Sequence, residues 1–276
     1  MASHEKRSGK VLLSAAEHDD VAESQPARAA VIHESIRLLG DGELQRGVAA
    51  LAWSSVAAGL SMGFSPMFKG ILHSHVPDGP LQFFVENMGY SIGFLVVILA
   101  RQQLFTENTL TAVLPVMSEP DIAKLLRLIR LWSVVLCGNL IGVSIFAFGL
   151  LHLKIFNDSI DNAFVGMGQE LMANSPMEMF TKAIFAGWLI ATMVWLLPSA
   201  PDVKFWTILL FTYLIGIGGF THIIVGAEEG AYLVLSGKLS VVDYATKLLA
   251  PVLLGNIVGG TLIFALINHA QVRSET

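Results

Sequence analysis

The stretch Phe211-Thr-Tyr-Leu-Ile-Gly-Ile-Gly-Gly-Phe-Thr-His-Ile-Ile-Val-Gly226 decides the fold. It reads as membrane-spanning, since no charged residue occurs between Lys204 and Glu228. Yet it contains His222, with Gly216, Gly218 and Gly219 just before it. An ionisable side chain inside such a segment is costly and marks a functional site by default. The glycines predict that the helix does not pass smoothly through. The other seven histidines lie in polar tails, in connections or near the ends of apolar runs.

Composition agrees with a membrane reading. The 276 residues are 54% hydrophobic and 14% charged, against about 25% charged in soluble domains. Net charge is −5 with no basic run, so nucleic acid is not an expected partner. Cys137 is the single cysteine, which excludes an internal disulfide; beside Gly138 it reads as a small packing residue. The N-terminus is polar and leads into no apolar h-region, so no cleaved signal peptide is expected.

Residues 1–27 read as a disordered tail of short polar side chains and mixed charge. Over 28–46, Ile32, Ile36 and Leu39 recur at helical spacing among Arg28, His33, Glu34 and Arg37. That pattern suits an amphipathic surface helix or an ordinary solvated tail helix. A channel domain over 47–268 follows, then a tail at 269–276. A span needs roughly 20 apolar residues, and six stretches fit, near 47–72, 83–117, 125–152, 179–198, 204–235 and 245–268. The second is interrupted by the polar patch Arg101-Gln-Gln-Leu-Phe-Thr-Glu-Asn-Thr109, the fifth by the glycines and His222. Six spans put both termini on one side. That side carries eleven Lys and Arg against five, so both termini are expected in the cytoplasm.

The chain also repeats itself. The third span holds Gly138-Asn-Leu-Ile-Gly142 and the sixth Gly255-Asn-Ile-Val-Gly259, offset by 117 residues. Leu104-Phe-Thr106 pairs loosely with Gly219-Phe-Thr-His222 at a similar offset. Two halves of three spans must run in opposite senses, and inverted repeats with paired broken helices point to a transport site near the bilayer midplane. The fold expected is therefore an all-α polytopic membrane protein with an inverted 3+3 repeat and broken second and fifth helices. Non-helical backbone at that depth survives only inside protein or beside a water-filled cavity. Asn139 and Asn256 are expected either to satisfy the backbone freed at the breaks, with Gly219 at the second break, or to join helices.

These residues resemble the formate/nitrite transporter family. Leu104-Phe-Thr106, Gly219-Phe-Thr-His222 and the two Gly-Asn motifs are similar to that family's signatures in order and placement, over about residues 30–268. The resemblance implies an aquaporin-like fold and a homopentamer in a bacterial inner membrane. Each protomer would have its own pore for small monovalent anions such as formate, nitrite or hydrosulfide. It makes His222 the central pore histidine and Thr106 the threonine of the second-span loop. Leu104, with Phe105 beside it, would help form a hydrophobic constriction, and Tyr90, Phe94 and Ile215 fall by register at other pore-lining positions. The chain departs from the family at Gln103, usually acidic, at Thr221, often glutamate, and at Thr192, usually asparagine. Ser175 stands where a vestibule lysine is common, and Lys182 is a candidate to replace it. Arg101, Glu228 and Glu229 are unusual and are candidate vestibule charges. Arg101 is expected to pair with Glu107 or a carbonyl, or to attract anions. Glu228 and Glu229 are expected to cap the helix after the second break, or else to face the vestibule and oppose anions.

A bare anion cannot cross an apolar constriction cheaply, because burying an isolated charge costs on the order of tens of kcal/mol. A weak acid can pass as its neutral form, with protons as the second partner. His222 would be the proton partner or a hydrogen-bond donor, or else a neutral core histidine bonded to a carbonyl. Thr106 would face it, or cap the chain after the first break. An aquaporin-like channel for water or glycerol is the alternative within transport, weakened by the absence of Asn-Pro-Ala. A membrane-embedded enzyme is the alternative from another class. His-Glu-x-x-His, Cys-x-x-Cys, a P-loop and Gly-x-Gly-x-x-Gly are all absent, so no metal and no cofactor are expected.

Overall fold

A computed structural model describes residues 13–17, 21, 25 and 27–275. Much of the tail expected over 1–27 lies outside the described residues. From Ala29 onward the ordered elements are all helical. Helix α1 (Ala29–Gln45) precedes α2 (Val48–Met62) and α3 (Phe64–His75), which follow one another across Gly63. Then come α4 (Pro80–Leu99), the short α5 (Leu114–Ser118), α6 (Ile122–Leu153) and α7 (Asp158–Met172). Helices α8 (Pro176–Leu196), α9 (Lys204–Ile217), α10 (Ile223–Leu235) and α11 (Val241–Glu275) complete the chain.

Local chemistry sets the helix starts. Pro80 and Pro176 stand at first helical positions, where no amide donor is needed. Asp121 accepts from Lys124 N, and Asn157 from Ile160 N. Ser175 and Glu178 form a reciprocal capping box on α8. Five stretches are long and apolar enough to cross a membrane: Val48–His75, Pro80–Leu99, Ile122–Leu153, Pro176–Ser199 and Val241–Glu275. Helices α9 and α10, of 14 and 13 residues, are each shorter than the roughly 20 a span requires. Large apolar side chains such as Trp53, Ile145, Trp206 and Leu262 face outward, as suits a hydrocarbon surround.

Two helix pairs hold the core, α2 along α6 and α8 along α11. Their close approach depends on the Gly-Asn motifs. A Cβ on Gly142 would collide with the Val56 carbonyl, and one on Gly259 with the Ile184 carbonyl. Helix α11 contains two π-helical stretches, Tyr244–Leu249 and Val258–Ala265.

Two expectations need correction. Residues 269–276 were expected as a tail, but the helix runs on to Glu275 because His269 and Val272 are buried. His269 Nδ1 lies 2.9 Å from His33 Nε2, so the last helix is anchored on α1. Helix α7 falls where only a connection was expected. Its signal was present in Ile160, Ala163, Phe164 and Met167, one buried stripe behind the Asn157 cap.

Asn139 and Asn256 each make three buried hydrogen bonds. Asn139→Ala and Asn256→Ala should each lower stability by on the order of 3 kcal/mol, because buried backbone groups lose their partners. Thermal unfolding in detergent measures this. The two losses should add, since the asparagines share no partner; a double variant no worse than either single one would refute independent anchoring.

Candidate functional site

The first break follows Leu99. Arg101 takes a left-handed conformation, φ +55°, and the chain then runs non-helically to a 3₁₀ turn at Glu107–Thr109. Asn139 holds this segment: its Oδ1 accepts from Phe105 N at 2.9 Å, and its Nδ2 donates to Gln103 O at 2.9 Å and Ser55 O at 2.8 Å. The second break follows Ile217. Gly219 has φ +59°, a conformation glycine adopts without a Cβ penalty. Asn256 repeats the clamp: its Oδ1 accepts from Ile223 N at 2.9 Å, and its Nδ2 donates to Thr221 O at 3.1 Å and Ala183 O at 2.8 Å. The bonding therefore matches Gln103 with Thr221, Leu104 with His222 and Phe105 with Ile223.

The two breaks meet through one side-chain pair. Thr106 Oγ1 and His222 Nε2 are 2.8 Å apart and almost fully buried. His222 is also the N-cap of α10, its Nδ1 accepting from Ile224 N and Val225 N at 3.3 and 3.4 Å. A nitrogen that accepts carries no proton, so the neutral ring bears its hydrogen on Nε2 and donates it to Thr106. The Thr106 hydroxyl is left able to donate onward. Phe94 packs edge-on against His222, with ring centroids 4.9 Å apart, and Tyr90 lies one helical turn before Phe94.

Two cavities approach this pair from opposite ends of α8. One, of about 120 Å³, reaches His222 and is walled by Tyr90, Ile215, Gly219, Lys182 and Glu229, among others. The other, of about 490 Å³, opens among Glu43, Arg101, Gln103, Asn108, Glu107 and Lys204. Phe94, Leu104 and Thr106 have no exposed surface and line neither cavity. They occupy the closed interval between the two.

Several candidates stand elsewhere than expected. The Phe105 ring packs on Trp132, with centroids 5.6 Å apart, and lines neither cavity. The Arg101 side chain makes no hydrogen bond or ion pair among the described residues, so the pairing expected with Glu107 or a carbonyl is absent. Its left-handed backbone leaves it exposed at the rim of the larger cavity. Thr106 makes no capping bond to the turn it precedes. Glu228 and Glu229 do not cap α10, because His222 takes that position and both carboxylates fall in the second turn. Glu228 is buried with Oε1 unpartnered, whereas Glu229 faces the smaller cavity. Lys182 donates to Asn174 Oδ1 at 2.6 Å in that same cavity.

Sequence reasoning also passed over residues that brace the first break. Trp132 Nε1 donates to Asn108 O, Asn108 Nδ2 to Leu104 O, and Thr261 Oγ1 to Thr109 O. Asn108 was visible within the polar patch of the second span and Thr261 as a polar group among apolar neighbours, but nothing marked Trp132. Gly89-Tyr-Ser-Ile-Gly93 spells Gly-x-Ser-x-Gly. It lies within α4 with Ser91 fully buried, unlike the strand-to-helix turn that exposes a nucleophilic serine. No cluster able to hold a metal occurs among the described residues.

The formate/nitrite transporter family profile matches residues 30–270. The chain belongs to the formate/nitrite transporter family. It is 50% identical over 273 residues to the inner membrane protein YfdC of Escherichia coli (strain K12), covering 99% of this chain and 86% of that protein. It is 24% identical over 214 residues to a probable formate transporter of Methanothermobacter thermautotrophicus, covering 71% and 77%. Among solved structures it shares the fold of a pentameric formate channel with formate bound. The TM-score is 0.72 at 22% identity, covering 82% of this chain and 98% of that one. As a member of this transporter family the chain is a transmembrane transport protein and not an enzyme.

Thr106→Val removes the partner of His222 Nε2 and should lower stability by about 1–3 kcal/mol, the cost of a buried donor left unmade. Thr106→Ser keeps the hydroxyl and should recover most of the loss. Detergent-phase melting curves compare the two, and equal melting temperatures would refute the bond.

Proposed function

We propose that this family member is a channel for small weak acids whose anions are monovalent, of the formate, nitrite or hydrosulfide class. The observation that carries the reading is the buried Thr106–His222 pair, set between two cavities that open from opposite ends of α8. A permeant acid would enter one cavity and lose its water. It would then cross between Phe94, Leu104 and Thr106 as the neutral species, because burying the bare anion there costs on the order of tens of kcal/mol. In passing, the solute would accept the Thr106 hydroxyl proton in a hydrogen bond, with His222 holding that hydroxyl by Nε2–H.

The architecture proposed with it has six spans, α9 and α10 together making the fifth, in an inverted 3+3 repeat of aquaporin-like form. Support comes from the equivalent asparagine clamps at the two breaks. We further propose a homopentamer in a bacterial inner membrane, with both termini in the cytoplasm. The outward apolar surfaces of the helices, about half of each span, suit lipid and neighbouring protomers. The α1 helix would lie at the cytoplasmic mouth, since Ser35, Ile36 and Glu43 line the larger cavity.

Proteoliposomes should take up formate or nitrite across about pH 5 to 8, the range in which histidine and weak-acid chemistry respond. His222→Ala should change the rate or its pH dependence by about tenfold, since it removes both the cap and the group that orients Thr106. Absence of uptake for every small weak acid tested would overturn the reading.

A further inference from the structure

The smaller cavity contains a carboxylate that the permeation path does not need. His222, Val225, Gly226 and Glu229 line it at the i, i+3, i+4, i+7 spacing of one helix face. Seven residues at about 1.5 Å each put Glu229 roughly 10 Å along the helix from His222. The Glu229 carboxylate makes no hydrogen bond or ion pair among the described residues, and the residue is partly accessible. Tyr90 stands on the facing wall.

The other charges do not offset it in favour of anions. Lys69 also lines the cavity, but its Nζ lies 4.0 Å from Glu86 Oε1, and Glu86 in turn meets His73 Nδ1 at 2.7 Å. Lys182 is hydrogen-bonded to the neutral Asn174. Glu170 adds a second carboxylate at the rim. Two lysines therefore face two glutamates, and one lysine is already shared with Glu86. The larger cavity differs, with Arg101 and Lys204 against Glu107 and against a Glu43 that is already paired with Arg46 at 3.0 Å. A vestibule built to concentrate anions would carry an excess of one sign, because confined charges of one sign focus the field on the solute. The smaller cavity, the one that reaches His222, has no such excess.

We propose that Glu229 is a specificity-determining residue: its free carboxylate opposes the bare anion in the last stretch before His222 and leaves the path to the net-neutral acid. This rests on the weak-acid reading above. It adds that the charge step falls at a named side chain on α10, separate from the Thr106–His222 pair. The barrier is electrostatic and acts through a small volume, so it depends on the charge of Glu229 and not on its shape. Glu229→Gln keeps the shape and removes the charge, whereas Glu229→Asp keeps the charge.

The test reads the cavity directly and then transport. Leu171, which lines the cavity beside Gly226, is changed to Cys after Cys137→Ser removes the native thiol. Rates of modification are then measured with anionic and cationic methanethiosulfonates. Glu229→Gln should raise the anionic-to-cationic rate ratio by about fivefold or more at low ionic strength, as expected for a nearby fixed charge. The shift should collapse near 1 M salt, where the screening length is about 3 Å. Glu229→Asp should keep the original ratio. In proteoliposomes, Glu229→Gln should raise formate uptake several-fold at low salt. An unchanged reagent ratio, or a change insensitive to salt, would overturn the assignment even if formate uptake is normal. A shifted ratio with no weak-acid uptake by any form would instead overturn the permeation reading.

Discussion

Everything in this structure depends on backbone hydrogen bonds made where helix is absent. A membrane core offers no water to an unpaired amide or carbonyl, so a broken helix is tolerable only if its freed groups find protein partners. Asn139 and Asn256 supply those partners, each taking one amide and giving to two carbonyls. An asparagine suits this task because its side chain repeats the donor and acceptor of the peptide group. The glycines on either side are the second requirement. Without them α6 and α11 could not come close enough to α2 and α8 for the amide to reach both a neighbouring helix and the break.

The site follows from the same constraint. Once both breaks are pinned, Thr106 and His222 meet at 2.8 Å with little freedom. His222 then has two structural duties that settle its chemistry. As helix cap it must accept at Nδ1, and as partner of Thr106 it donates at Nε2. A ring used in this way cannot be protonated on Nδ1 without giving up the cap. The arrangement favours a histidine that orients a hydroxyl over one that cycles through the cation, which is why the proposed permeant would bring its own proton.

Much of this was legible in the chain. The Gly-Asn motifs and the interrupted runs fixed where helices break, because glycine, asparagine and histidine are out of place in uniform apolar segments. What escaped were features that depend on three-dimensional proximity. Phe105 stands inside a signature, yet its ring turns to Trp132, and sequence spacing in a non-helical loop does not say which way a side chain points. Glu228 and Glu229 looked like capping groups because the helix start could not be placed to within a turn. One turn separates a dipole-stabilised carboxylate from one that faces a cavity. Helix α7 was missed because its apolar stripe is short and its other face carries Asp158, Asp161 and Gln169, which read as a loop.

Two of the departures from the family pattern, Gln103 and Thr221, keep charge away from the clamped backbone. Carboxylates at those positions would lie at the clamps themselves, next to backbone that must stay paired. Here both side chains are neutral and engaged: Thr221 Oγ1 donates to Met179 O at 2.8 Å, and Gln103 Nε2 donates to Glu43 Oε2 at 2.8 Å. Negative charge is still present on both sides of the closed interval, held by Glu43 and Glu107 on one side and by Glu170 and Glu229 on the other, Glu229 lying two turns along α10. Neutral side chains at 103 and 221 spare the clamps the cost of desolvating an ion. On the proposed path, Glu229 stands where a solute would pass it before reaching the histidine.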